Sequence, residues 1–432
     1  MKAFKLGNDF IFGTATSSTQ IEGGDKNNTW YEWSKEGKIR DLSSPFTACD
    51  HWNRVEKDIG LLIELHVQSH RMSLEWSRIE PEPGQFSKDA IDHYRKEIKL
   101  LLKNNIEPLI TLHHFSDPLW FKDMGGWMEA ENIEFFTEYV EYVVKNIGDL
   151  VCQWVTINEP NVYSTLGYAI GIFPPGQRNI FKCFKVMRNL IKAHIKVYDL
   201  IHETREREGY QGKTIVGYAL HIRIFDGLSF LGKKTAQCLD YIFHTLSIVG
   251  MTTGHLKFPL SEKGYINKRR TTDFIGVNFY TRNIVEFILC PSFYFYHLLN
   301  DKDLSKNDQG WDIYPEGIYR VCKKYYKKYE LPIYITENGI SDRYDNRRPK
   351  YIGNHLFQIK RAIDEGVDIQ RYYHWSLMDN FEWIDGETGR FGLYHCNFQT
   401  QKRTPRKSAM LYAEICYYKE VTQKMIEEFS LE

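Results

Sequence analysis

Neither charge is in excess in this sequence: Lys plus Arg and Asp plus Glu both number 56 in 432 residues. A balanced chain offers no electrostatic footprint for nucleic acid or for an anionic membrane surface. Cysteine is scarce, with eight residues and no CxxC pair. That argues against a disulfide framework or a zinc site and fits a reducing compartment. No apolar run reaches the roughly 18 residues of a membrane span. The opening stretch MKAFKLGNDFIFG also lacks the apolar segment of a signal peptide. The expected compartment is therefore cytoplasmic. Pro/Gly/Ser linkers, low-complexity segments and fixed-period repeats are missing too, so one domain over residues 1–432 is the simplest reading.

Aromatic residues are plentiful, with 26 Phe, 28 Tyr and 10 Trp making up 15% of the chain. Most must be core, but an aromatic excess also suits a sugar site. Rings stack on the apolar face of a pyranose while their polar tips reach its hydroxyls. Short β-rich apolar runs at 10–14, 67–73, 108–112, 153–157, 214–220, 274–279, 333–336 and 372–375 alternate with longer amphipathic segments. Helical periodicity is clear at 55–65, 91–103, 133–144, 184–203, 352–365 and 408–429. This alternation predicts an α/β fold, a single-domain (β/α)8 TIM barrel with long βα loops. A doubly wound sheet competes, but no glycine-rich phosphate loop follows the first strand.

A barrel places its functional residues at the C-terminal ends of its strands. Seven of the eight predicted ends carry polar or aromatic residues of the type a site needs: Gln20 and Glu22, Arg71 and Ser73, His113 and His114, Asn158 and Glu159, Asn278 and Tyr280, Glu337 and Asn338, and Trp375. Glu159 and Glu337 directly follow apolar strands 4 and 7, which face each other across a barrel. Glycoside cleavage uses two such carboxyl groups, one protonated to release the leaving oxygen and one ionised to attack the anomeric carbon. Arg71 on strand 2 is placed to hold a nucleophile ionised. Either Glu alone reads equally well as an ordinary strand-end residue, whereas the pair favours chemistry. His113-His114 could suggest a metal pair, but adjacent strand residues point to opposite faces. His114 is the one expected in the pocket, with His113 in the wall.

Four separated motifs make the chain similar to glycoside hydrolase family 1, the β-glucosidase and β-galactosidase family. Thr156-Ile157-Asn158-Glu159-Pro160 resembles its acid/base segment and Ile335-Thr336-Glu337-Asn338-Gly339 its nucleophile segment. The stretch from Phe12 to Gly23 resembles the family's start, and Trp375 to Trp383 its glycone-binding segment. The match runs from near Phe10 to about Ala409. It implies a retaining exo-β-glycosidase, β-glucosidase-like, with β-galactosidase and β-fucosidase action open. The implied partner is a small-molecule β-glycoside or oligosaccharide, and no metal or organic cofactor is implied. Glu159 and Glu337 become the catalytic pair. Gln20 and Glu382 grip hydroxyls of the terminal sugar, and His114, Asn158 and Trp383 bond others. Trp375 is the stacking platform, Tyr280 bonds the nucleophile, and Phe391 lines the pocket. Arg71 and Asn278 support the nucleophile.

Some positions depart from the family pattern. Phe115 stands where Trp is frequent, His66 and Arg371 where Gly is common, and Asn397 where Asp is. The segment 284–299 is unusually apolar and follows strand 6, which makes it a self-packed loop, an aglycone wall or a partner surface. A transglycosylase with the same intermediate remains open, as does a non-catalytic sugar-binding protein, although the latter should have lost a glutamate. Action on 6-phosphosugars is disfavoured because Glu382 would repel phosphate.

Overall fold

The computed structural model describes residues 2–431 apart from 262, 263, 267 and 289–295. Eight parallel strands close into a barrel: β1 (Ile11–Ala15), β2 (Ser69–Ser73), β3 (Glu107–His113), β4 (Gln153–Asn158), β5 (Ile215–Gly227), β6 (Phe274–Phe287), β7 (Ile333–Asn338) and β8 (Ile369–Trp375). Each pairs with its chain neighbour, β8 pairs with β1, and β5 pairs with β6 to complete the ring. The (β/α)8 expectation holds.

Strands β1 to β4, β7 and β8 are largely buried on both faces, which explains their near-continuous apolar runs. Residues facing the lumen, including Ala15, Leu109, Val155, Ala219, Phe274, Tyr334 and Tyr373, form one inner cluster. The alternate residues, such as Phe12, Ile110, Trp154 and Ile335, pack outward against the helices in a second, larger cluster. Helix α1 (Lys88–Lys103) shows how the outer layer forms. Ser87 caps it by accepting from the Ala90 N–H at 3.2 Å, and Ile91, Tyr94, Ile98 and Leu101 make one buried stripe. Burying each such side chain contributes roughly 1.5–3 kcal/mol.

Three features differ from the sequence reading. β5 and β6 run well past the predicted ends at 220 and 279, and they stay paired as far as Gly227 and Val285, rising above the barrel mouth. The segment 284–299 is not simply a loop: Tyr296–Leu299 pairs antiparallel with Ile284–Phe287, and 289–295 lies outside the described residues. The predicted helix 408–429 is two, α2 (Lys407–Tyr418) and α3 (Gln423–Glu428). Lys419 turns left-handed at φ 55°, Glu420–Val421 pairs with Phe4–Lys5, and Thr422 caps the second helix. Among the described residues no helix is long and apolar enough to cross a membrane.

His66, in place of a frequent glycine, adopts φ 52°, the left-handed conformation that glycine takes most easily. Arg371 is paired with Glu107 at 2.7 Å. Asn397 accepts from the backbone N–H groups of Gln399 and Thr400 and so stabilises a turn.

Candidate active site

The barrel mouth brings Glu159 and Glu337 together. Glu159 follows β4 at φ 43°, and its backbone N–H donates to the Ala219 carbonyl at 2.8 Å. This left-handed turn, strained for a residue with a Cβ, ends the strand and starts the short helix Pro160–Ser164. Glu337 lies within β7. Two residues on, a Cβ added to Gly339 would meet the Trp375 carbonyl oxygen at 1.8 Å, so only glycine lets β7 and β8 approach this closely.

The surroundings of the two carboxyl groups are unequal. Glu337 Oε1 accepts from Arg71 Nη1 at 2.5 Å, and its Oε2 accepts from the Tyr280 hydroxyl at 2.6 Å. Glu159 Oε1 accepts from the neutral amide of Asn278 at 2.8 Å. A continuous chain of bonds joins the two sides. Arg71 Nη2 donates to Asn158 Oδ1 at 2.7 Å, and Asn278 Nδ2 donates to the same oxygen at 3.1 Å. Thr336 fixes the Asn278 amide by donating to its Oδ1 at 2.6 Å.

Burial pushes both carboxyl groups up to about 7. For Glu159 the Asn278 amide and the charges of Arg71 and Arg223 oppose this shift. For Glu337, Arg71 and the Tyr280 hydroxyl oppose it while Glu159 adds to it. The two groups therefore titrate as a pair. The guanidinium and the phenol beside Glu337 favour its ionised form over that of Glu159. Glu159 has its closest bond from the neutral Asn278 amide, with His221 Nδ1 3.5 Å from the same oxygen.

The other expected residues take these places. His114 lies just past β3, its ring stacked against Trp375 and Trp383 at 5.9 and 5.8 Å between centroids. Asn158 Oδ1 is already an acceptor, so its Nδ2 donates to His114 Nε2 at 3.0 Å, which leaves the ring proton on Nδ1. Burial, then the charge of Arg71, holds this imidazole neutral, well below its ordinary range. Its Nδ1 has no protein partner among the described residues. His113 faces the wall, with Nε2 2.9 Å from Asp117.

Gln20 donates to Asn380 Oδ1 and the Phe381 carbonyl, both at 2.9 Å, and more distantly to Glu382 at 3.4 Å. Trp375 Nε1 also reaches Glu382 at 3.4 Å. Burial, then Asp385, pushes the Glu382 carboxyl well above its ordinary range. Phe391 packs edge-on to Tyr280 at 6.1 Å. Phe115 packs edge-on to Trp383 at 5.2 Å.

Asn278 is a correction. It bonds Glu159, not Glu337: Thr336 holds its Oδ1, and its Nδ2 reaches Asn158 and Glu159 on the β4 side. Glu22 also lies apart, held by Arg78 at 2.8 Å and by the Tyr94 hydroxyl at 2.7 Å. Ser73 bonds Ser18 rather than either glutamate.

Three residues at or beneath the mouth went unread in the sequence. Asp379 anchors the segment leading to Glu382, accepting from both Nη1 and Nη2 of Arg406 at 2.8 Å. Burial would raise its carboxyl, but His395, Arg406 and Arg390 more than offset this and hold it well below the usual range. His221 and Arg223 lie within β5, just past its predicted end at 220, the one strand end where nothing was expected. The pattern Ala219-Leu220-His221-Ile222-Arg223-Ile224 does continue the strand alternation, and that signal could have found them.

Known proteins share this fold over nearly the whole chain. The model of Glycosyl hydrolase family 1 matches residues 2–227 and 220–421. Beta-glucosidase A of Acetivibrio thermocellus is 33% identical, over 94% of this chain and 97% of that one. A solved β-glycosidase from Pyrococcus horikoshii superposes with a TM-score of 0.91 at 38% identity, covering 100% of this chain and 99% of the other. The β-glucosidase from Thermotoga maritima in complex with deoxynojirimycin superposes with a TM-score of 0.88 at 30% identity, covering 96% and 99%. With the family model spanning both halves of the barrel, this chain belongs to glycosyl hydrolase family 1.

Proposed function

We propose that the protein, as one domain over residues 1–432, is a retaining exo-β-glycosidase that removes a terminal β-linked sugar by double displacement. The observation that carries the reading is the asymmetry between the two glutamates. Arg71 and Tyr280 favour the ionised form of Glu337, and we assign the proton to Glu159, whose closest partner is the neutral Asn278 amide.

In the first step a Glu337 oxygen attacks the anomeric carbon while Glu159 passes its proton to the glycosidic oxygen, and the bond to the leaving group breaks. The product is a glycosyl ester on Glu337. In the second step Glu159, now ionised, takes a proton from water as that water attacks the same carbon and frees Glu337. Two inversions return the β configuration.

Gln20, Glu382 and Trp383 are the groups we assign to the terminal sugar's hydroxyls. His114 is assigned through its unpartnered Nδ1–H, Trp375 as the stacking face, and Phe391 as wall. Asn158 and Asn278 hold the framework between the carboxyl groups. The β-glucosidase activity in the names of two of these relatives suits a gluco-configured substrate. The groups bonded to the Glu382 carboxyl, Gln20 and Trp375, are neutral and supply no charge to balance a phosphorylated sugar. The scarce cysteine, with no CxxC pair, suits a reducing compartment, which we read as the cytoplasm.

The test is a panel of p-nitrophenyl glycosides: β-glucoside, β-galactoside, β-fucoside, β-mannoside, 6-phospho-β-glucoside and α-glucoside. NMR then identifies the first anomer released. Hydrolysis of unphosphorylated β-glycosides with β product, abolished in Glu337→Ala, is the expected result. No turnover, or an α product, would overturn the reading.

A further inference from the structure

His221 and Arg223 take no part in the steps above, yet they lie against Glu159. Both follow Ala219 in phase, so β5 directs them towards the barrel mouth. Arg223 Nε and Nη2 lie 3.2 and 3.1 Å from His221 Nε2, and Nη1 donates to Asn283 Oδ1 at 3.0 Å. A guanidinium has donors and no acceptor, so His221 Nε2 must be the unprotonated, accepting nitrogen. The ring's one proton is then on Nδ1, which stands 3.5 Å from Glu159 Oε1. Stacking on Tyr280, with ring centroids 5.8 Å apart and planes at 14°, holds the ring in this direction. The Asn161 amide holds the His221 carbonyl at 2.8 Å.

Glu159 Oε1 therefore faces two donors, Asn278 Nδ2–H and His221 Nδ1–H. An oxygen facing two N–H groups is a poor place for a hydroxyl proton, and Oε2 is left to carry it. We propose that Arg223 and His221 are positioning residues for the acid/base: Arg223 locks the His221 tautomer, and His221 with Asn278 keeps Oε1 as the accepting oxygen so that the proton leaves from and returns to Oε2. The proposal rests on Glu159 being the acid/base. At 3.5 Å the His221 contact is long while Glu159 is protonated. It tightens into a charge-assisted bond once Glu159 has given up its proton, which makes the protonated form a stronger acid. Burial, then the Arg223 charge, holds the imidazole well below its ordinary range, so His221 donates without itself becoming a cation. The other groups facing Glu159 are Arg71 from β2, Glu337 from β7, Asn278 and Tyr280 from β6 and Glu382 after β8. They are unchanged in the variants below.

The experiment compares pH profiles of kcat/KM for wild type, His221→Leu, His221→Asn and Glu159→Ala on a dinitrophenyl and an alkyl β-glycoside. Leu removes the donor. Asn places an amide N–H near the position of Nδ1. The expected result for His221→Leu is a basic limb about one pH unit higher and a loss on the alkyl substrate about tenfold greater than on the aryl one. His221→Asn should restore both. Nitrogen NMR of 15N-histidine-labelled enzyme should show His221 with its proton on Nδ1, and Arg223→Gln should lose that signature. Equal losses on both substrates with an unmoved limb, or Leu and Asn behaving alike, would overturn the proposal. Glu159→Ala separates the two ideas. If it spares the aryl substrate while the His221 variants show no split, only this proposal falls. If Glu159→Ala itself shows no split, the acid/base reading falls.

Discussion

Replacing Glu159 by Gln removes a carboxyl group that burial keeps protonated and leaves an amide of nearly the same shape. The carbonyl oxygen of that amide can still accept from Asn278, so the framework in the mouth survives. The stability effect follows from linkage. Burial raises the folded-state value from 4.5 to about 7, whereas the unfolded chain keeps the ordinary value. Below about pH 4.5 both states hold the proton and the carboxyl adds no pH dependence. Between about 4.5 and 7 the unfolded state ionises while the folded state does not, so wild-type stability falls as pH rises. Above about 7 both are ionised and the loss is complete. At about 1.4 kcal/mol per pH unit, the full penalty is about 3 kcal/mol. Glu159→Gln does not titrate, so it should match wild type near pH 4.5 and be more stable by about 3 kcal/mol at pH 8. The assay is thermal unfolding of both proteins at matched scan rates from pH 4.5 to 8.5. A difference that is flat across that range would mean Glu159 is ionised in the folded protein at ordinary pH. Its assignment as the acid would then lose its physical basis.

Two further outcomes follow from the same geometry. Tyr280→Phe removes the hydroxyl that donates to Glu337 at 2.6 Å. A hydrogen bond to a charged group contributes roughly 1.5–3 kcal/mol, so the acidic limb of kcat/KM should rise by about one pH unit or more. Activity at pH 6 should fall at least roughly tenfold, and an unmoved limb would remove Tyr280 from that role. Asp379→Asn leaves Arg406 and Arg390 without their buried carboxylate and should destabilise the fold by about 3 kcal/mol. Because Asp379 is held below its ordinary value, its contribution is present above about pH 4 and fades as pH falls through the folded-state value. The gap between variant and wild type, read by denaturant unfolding, should therefore shrink in acid.

What the sequence made legible was whatever burial controls on both sides of a strand. β1 to β4, β7 and β8 came out within a few residues of their true ends, because a strand covered by helices outside and packed within must be apolar throughout. The polar residues that break those runs at 114, 158–159 and 337, with Trp375, then stood out as the mouth of the site. The same logic failed at β5 and β6, whose upper halves line the mouth and carry His221, Arg223, Asn278 and Tyr280. A polar residue facing inward looks like the end of an apolar run, so both strands were closed too early and the strand 5 side of the site disappeared with them. Helix Glu316–Tyr329 escaped for a related reason, since Tyr and Cys fill much of its buried stripe in place of aliphatic residues. The Asn278 error has a different origin: which glutamate its amide meets is decided with Thr336 on β7, which holds its Oδ1, and no periodicity in a single strand reports its neighbour's side chains. The distinction that matters most for chemistry, which glutamate keeps the proton, belongs to this second kind. The two motifs each present a glutamate after an apolar strand and look equivalent in isolation. They become acid and nucleophile only when β2 delivers Arg71 and β6 delivers Tyr280 to one of them and Asn278 to the other. The catalytic polarity of the site is thus a property of strand register around the barrel rather than of either motif.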